Sequence, residues 1–83
     1  MPKIYKIFAY DKDNDFTQYL FSSPNLEIVL AEAQKFAKLC ETDDLRRADN
    51  NEPFDWIQIE TDDDPDNPIW ISNGRTISSR IDI

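Results

Sequence analysis

The sequence predicts an α+β domain: an antiparallel sheet of four to five strands in the order β-β-α-β-β-β, with one long helix packed on one face. Three observations carry this. Alternating apolar runs recur at Ile4–Tyr10, Phe16–Phe21 and Phe54–Thr61. A stripe of apolar residues at helical spacing fills positions 26–40. An Asn73-Gly74 pair then separates two further strand-forming segments. A sheet with a helix laid across it is the simplest arrangement that buries such a stripe.

In the first run, Ile4, Lys6, Phe8 and Tyr10 alternate with Tyr5, Ile7 and Ala9, and the residue types favour strands. Asp11–Asp15 is a polar turn, and Phe16–Phe21 returns as a second strand to make a hairpin. Ser23 is expected to cap the helix, with Pro24 at its first position, where a missing N–H costs nothing. Leu26, Val29, Leu30, Ala33, Phe36, Ala37 and Cys40 make the buried stripe of a helix over residues 24 to 40. Glu32 and Lys35 should pair on its outer face.

Thr42–Ala48 is expected to add one short helical turn, with Asp43 and Asp44 near its positive end and Arg46 and Arg47 near its negative end. Asn50–Pro53 breaks it. Phe54–Thr61 then places Trp56 on one face and Ile57 and Ile59 on the other. Asp62–Pro68 is a loop, since two prolines remove donors and four aspartates repel. A type I′ turn at Asn73-Gly74 sets Trp70 opposite Ile77, with Ser79, Ile81 and Ile83 on the same face. Ile69 and Ile71 point the other way, beside Thr76 and Ser78. The sheet therefore has apolar residues on both faces, and a single helix covers only one. The second face is expected to meet a partner or a second copy.

Eighty-three residues make one domain, 1–83, and ten aromatic residues supply apolar area for a small core. Cys40 is the only cysteine, so no disulfide forms within the chain. Together with the lack of a signal-peptide pattern after Met1-Pro2-Lys3-Ile4 or of a membrane-length apolar run, this sets the expectation of a cytoplasmic protein with no membrane partner.

Charge is the most informative feature. The net charge is −8, yet residues 41–66 hold eleven carboxylates against only Arg46 and Arg47. Six acids and seven bases make up the rest, so the acidity is local. Such a region repels nucleic acid and attracts basic surfaces. No basic stripe interleaved with aromatics exists, so direct nucleic-acid binding is not expected.

Chemistry is poorly represented. No histidine is present, and Cys40 lies on the apolar stripe, where a thiol packs as a small hydrophobe. The acids lie in loops with no evident cleft for a paired-carboxylate mechanism, so no enzyme activity and no cofactor are expected. Asp11-Asp13-Asp15 and Asp62-Asp64-Asp66 match the first three ligands of a calcium loop. The sixth position, which demands Gly, holds Phe16 or Asn67; the twelfth, which demands Glu, holds Ser22 or Asn73. No metal site is expected, and weak divalent-cation binding at Asp62–Asp66 is the lesser reading.

What remains is a non-enzymatic binding protein that presents carboxylates to a basic protein surface. Asp43, Asp44, Asp62, Asp63, Asp64 and Asp66 are the candidate electrostatic contacts. Trp56 or Phe54 is the candidate aromatic anchor, though core packing is the stronger reading of either ring. Arg46 and Arg47 are expected to orient the segment by pairing with its acids. The alternative is a structural subunit or homodimer that buries the second sheet face, its acidity serving only solubility.

A short acidic chain with a hairpin, one helix and further strands ending in Ile69-Trp70-Ile71-Ser72-Asn73-Gly74-Arg75 resembles the small proteins of phages and mobile elements. Among these are anti-CRISPR proteins and other inhibitors of host defence, several of them DNA mimics. The resemblance covers the architecture of the whole chain, and no functional residues carry across. It implies an inhibitor that occupies the nucleic-acid site of a defence or processing complex.

Overall fold

The computed structural model describes residues 3–81. Its elements are β1 (Tyr5–Asp11), β2 (Phe16–Ser23), α1 (Leu26–Glu41), β3 (Trp56–Thr61), β4 (Trp70–Ser72) and β5 (Ile77–Ser79). The strands form one sheet in the order β2-β1-β3-β4-β5, every neighbouring pair antiparallel. The expected α+β architecture is thus the observed one. β2 and β3 flank β1 on either side and run parallel to each other, and α1 makes the crossover between them.

The core lies between α1 and one face of the sheet. Val29, Ala33, Ala37 and Cys40 face Ile7, Ala9, Ile57, Ile59 and Trp70, with Phe54 closing the cluster. Ile7, Ile57, Ile59 and Val29 are fully buried, each a contribution of about 1.5–3 kcal/mol before the entropy of ordering is subtracted. Small residues at positions 33 and 37 let the helix sit close to the sheet. Leu20 is the extra residue of a bulge in β2, between Phe21 opposite Ile7 and Tyr19 opposite Phe8. Leu20 and Phe21 both pack against the core as a result.

Three expectations are corrected. Asn25, and not Ser23, is the N-cap: its Oδ1 accepts from the N–H groups of Glu27 at 3.0 Å and Ile28 at 3.4 Å. Ser23 ends β2, and its hydroxyl accepts from the Asn25 N–H. Asn competes as well as Ser for this position, and β2 runs far enough to claim Ser23 first.

No helical turn forms over 42–48. Thr42 is the C-cap and Asp43 turns left-handed at φ 60°. The Asp44 N–H reaches the Leu39 carbonyl and the Asp43 N–H that of Cys40, which closes the helix as a Schellman motif. The chain then doubles back through an Arg46–Pro53 bridge.

The β4–β5 register is also shifted. Trp70 pairs with Ser79, and Ile77 with Ser72, so Asn73–Thr76 is a four-residue loop. A type I′ turn needs positive φ at both central residues; Gly74 has φ 93°, while Asn73 is not among the positive-φ residues. The Asn73 carboxamide instead accepts from the Arg75 and Thr76 N–H groups. A shift of two residues keeps every side chain on its expected face. Ile83, expected to extend that face, lies outside the described residues.

No helix among the described residues is long and apolar enough to cross a membrane.

Candidate functional site

Strand pairing decides where the acids go. β1 and β3 are antiparallel with Tyr5 opposite Thr61 and Tyr10 opposite Trp56. The loop after β3 therefore lies at one end of the sheet, and the segment leading into β3 lies at the other, with the β1–β2 loop. Six paired residues at about 3.4 Å each separate the two ends by roughly 20 Å. The run that is contiguous in sequence is divided in space: Asp62, Asp63, Asp64 and Asp66 cap one end, while Asp43 and Asp44 lie toward the other.

At the Asp62 end the acids are partly built into the fold. Asp62 Oδ1 accepts from the Ile4 N–H at 3.2 Å, and its own N–H donates to the Ile4 carbonyl at 3.1 Å. Asp64 Oδ1 accepts from the Asn67 side chain at 2.9 Å. Lys3 stands 3.8 Å from Asp63. A hydrogen bond from Thr61, with Lys3 assisting, holds the Asp63 carboxyl below the usual carboxylate range. All four carboxylates are exposed.

The opposite end gains acids that lie far off in sequence. The β1–β2 loop brings Asp11, Asp13 and Asp15 beside the loop that carries Asp49, Glu52 and Asp55. Asp55 locks the two together: its N–H donates to the Tyr10 carbonyl at 2.8 Å and its Oδ2 accepts from the Lys12 N–H at 2.6 Å. Asp43 and Asp44 sit at the helix exit, where the Thr42 hydroxyl donates to Asp44 at 2.6 Å.

Arg47 is the hinge of this end. Its Nη1 lies 3.1 Å from Asp11 Oδ2, and it grips Asp49 through Nε at 2.9 Å and through Nη2. The guanidinium lies 3.9 Å from the centroid of the Phe16 ring. Its side chain is only 10% exposed and that of Asp11 only 5%, so this cation is spent on structure. Hydrogen bonds from Asn14 and then Arg47 hold Asp11 below the usual carboxylate range, and Arg47 does the same for Asp49. Arg47 thus pairs with one acid of its own segment, as expected, and with one from outside it. Arg46 pairs with no acid among the described residues and donates to the Asn51 carbonyl at 2.9 Å.

The sheet face away from α1 joins the two ends. Phe8 and Tyr19 meet edge to face with centroids 5.9 Å apart. Tyr10 and Trp56 stack at 4.5 Å. The Trp56 indole N–H donates to Gln58 Oε1 at 2.9 Å, and the Gln58 amide donates on to Glu60. The Tyr10 hydroxyl donates to Asp15 at 2.7 Å, and that bond pushes the phenol above its ordinary range. Ile71 lies on the same face beside Gln58. Among the described residues no secondary-structure element covers this surface, and Tyr19 is 54% exposed.

Of the two aromatic candidates, Trp56 lies half-buried on this open face, whereas Phe54 is 3% exposed in the core. Phe8, Tyr10 and Tyr19, and the acids Asp13, Asp15 and Asp55, were not among the candidate contact residues expected from sequence. The alternation of Phe8 and Tyr10 with Ile7 and Ala9 carried the signal for the aromatics; nothing local signalled which loops would meet. Cys40 is buried, its thiol donates to the Phe54 carbonyl at 3.0 Å, and burial pushes it up to about 11. Among the described residues no group of three or more His, Cys, Asp or Glu is arranged to hold a metal ion.

The fold and this surface define a small α+β domain with one open, aromatic sheet face bounded by acidic loops. No family model, curated protein or solved structure matches the chain.

Proposed function

We propose that the protein is a non-enzymatic binding module of the cytoplasm that docks its open sheet face and acidic ends onto a basic protein surface, acting there as an inhibitor. The observation that carries this is one open sheet face with carboxylate-rich loops at both ends and the Tyr10–Trp56 stack at one of them. Aromatics of this kind concentrate binding energy in an interface. Flanking charges of one sign speed encounter with a partner of the other. A surface that holds nucleic acid is strongly basic, and carboxylates along about 20 Å of sheet stand in for phosphates there.

The test is affinity capture from a host lysate followed by elution of the retained protein. Duplex DNA in excess, or high salt, is expected to displace the partner. Asn at Asp62, Asp63, Asp64 and Asp66, or at Asp43 and Asp44, should weaken retention, and Trp56→Ala should abolish it. Equal retention by all variants would remove the proposal.

A homodimer is the second reading, favoured by the exposure of Tyr19 on a face that no element covers. It predicts a sedimentation coefficient that rises with protein concentration and is indifferent to salt.

A further inference from the structure

The open face is not flat. Between β3, β4 and the β4–β5 loop lies a cleft of ≈ 230 Å³ whose lining includes Asp55, Trp56, Ile71, Thr76 and Ser78. The indole is held from behind by the Tyr10 stack, and its only polar atom is already engaged by Gln58. The ring therefore offers an oriented π surface rather than a hydrogen-bond donor. Ile71 supplies a second apolar contact. At the mouth, Asp55 has one oxygen engaged by the Lys12 N–H, and among the described residues no lysine or arginine side chain lies within ion-pair distance of it. Arg75 lines the adjoining polar pocket with Glu41, Asp43 and Asp55.

A fixed indole beside an ion-pair-free carboxylate, in an acid-rich setting, is complementary to a planar organic cation. We propose that this cleft receives the guanidinium of an arginine presented by a basic segment of the partner protein, an inference that rests on the binding role given above. The guanidinium stacks on Trp56 while one edge pairs with Asp55. The fold already uses this chemistry once, where Arg47 lies over Phe16 and pairs with Asp11. Lysine fits less well: its ammonium is compact, strongly hydrated and unable to stack. The cleft selects arginine, and the surrounding acids hold the rest of the segment without selecting it.

Titration of the whole chain with a capped hexa-arginine peptide, followed through the two indole N–H signals by NMR, tests this. Trp56→Phe assigns the signals. The peptide is expected to shift the Trp56 indole resonance to saturation and leave that of the core residue Trp70 unmoved. Asp55→Asn should weaken binding by about two- to fivefold. Ser78→Leu, which narrows the cleft from an exposed position on β5, should do the same without touching the core. Hexa-lysine should bind more weakly and leave the Trp56 signal in place. If hexa-arginine binds all variants equally and the Trp56 signal does not move, the acidic surface is real and the cleft assignment is overturned. If neither peptide binds, the basic-partner reading falls with it.

Discussion

Arg47 and Asp11, 36 positions apart in the chain, form a nearly buried ion pair that ties the loop after α1 to the β1–β2 hairpin. Removing one partner leaves the other largely buried, with only Asn14 still bonded to Asp11 or only Asp49 still paired with Arg47. Asp11→Ala and Arg47→Ala are both expected to lower the melting temperature by several degrees. The double variant should be less unstable than the two losses added together. Strict additivity in a double-mutant cycle would show that the pair contributes no coupling.

Acid should loosen the same end. Asp11 and Asp49 are held below the ordinary carboxylate range by Asn14 and Arg47. They bind protons less readily when folded than when unfolded. Their stabilisation is complete above the ordinary aspartate value of about 4 and is lost as pH falls through their lowered folded values. Chemical denaturation midpoints should therefore fall below about pH 4 in the native chain, and fall less steeply in Asp11→Asn. An identical acid profile in that variant would contradict the assignment.

Gly74 is the one glycine, and its φ of 93° is joined by a close approach to the helix. A Cβ built there would lie 2.6 Å from the Ala37 carbonyl oxygen and 2.5 Å from the Glu41 Cβ. Gly74→Ala is expected to cost about 1–3 kcal/mol, measured by urea denaturation. An unchanged midpoint would mean that the β4–β5 loop does not pack against α1 as described.

The cap assignment separates two neighbours. Asn25→Ala should cost about 1 kcal/mol, since two helical N–H groups lose their acceptor. Ser23→Ala, which loses only the bond from the Asn25 N–H, should cost less. The reverse order would restore Ser23 as the cap.

Core and edge should respond differently to the same change. Ile59→Ala removes a fully buried side chain and should cost about 2–5 kcal/mol. Ile77, 64% exposed on β5, should tolerate Ala within about 0.5 kcal/mol.

How much of this was legible depended on the range of the interaction. The helix stripe from Val29 to Cys40 and the two-sided pattern of Phe54–Thr61 are local periodicities, and the fold uses both. The β4–β5 register was misjudged because the Asn73-Gly74 pair was weighed as an isolated turn. The fold holds Gly74 against Ala37 and Glu41 instead, a contact formed only once the helix is in place. The acidic surface was misplaced for a related reason. Its carboxylates are adjacent in the chain, but β1 pairs with β3 across some fifty residues, and that pairing sends Asp62–Asp66 to one end and Asp43 and Asp44 toward the other. The same pairing recruits Asp13 and Asp15, which had been weighed only as failed calcium ligands.

The central claim is that the uncovered sheet face and both of its acidic ends form one binding surface. An amide NMR titration of the labelled chain with the partner recovered by affinity capture tests it most directly. Perturbations are expected along Phe8, Tyr10, Trp56 and Ile71 and in both flanking loops, with the outer face of α1 around Glu32 and Lys35 silent. Perturbations confined to α1, or to one loop with the sheet face unmoved, would contradict it.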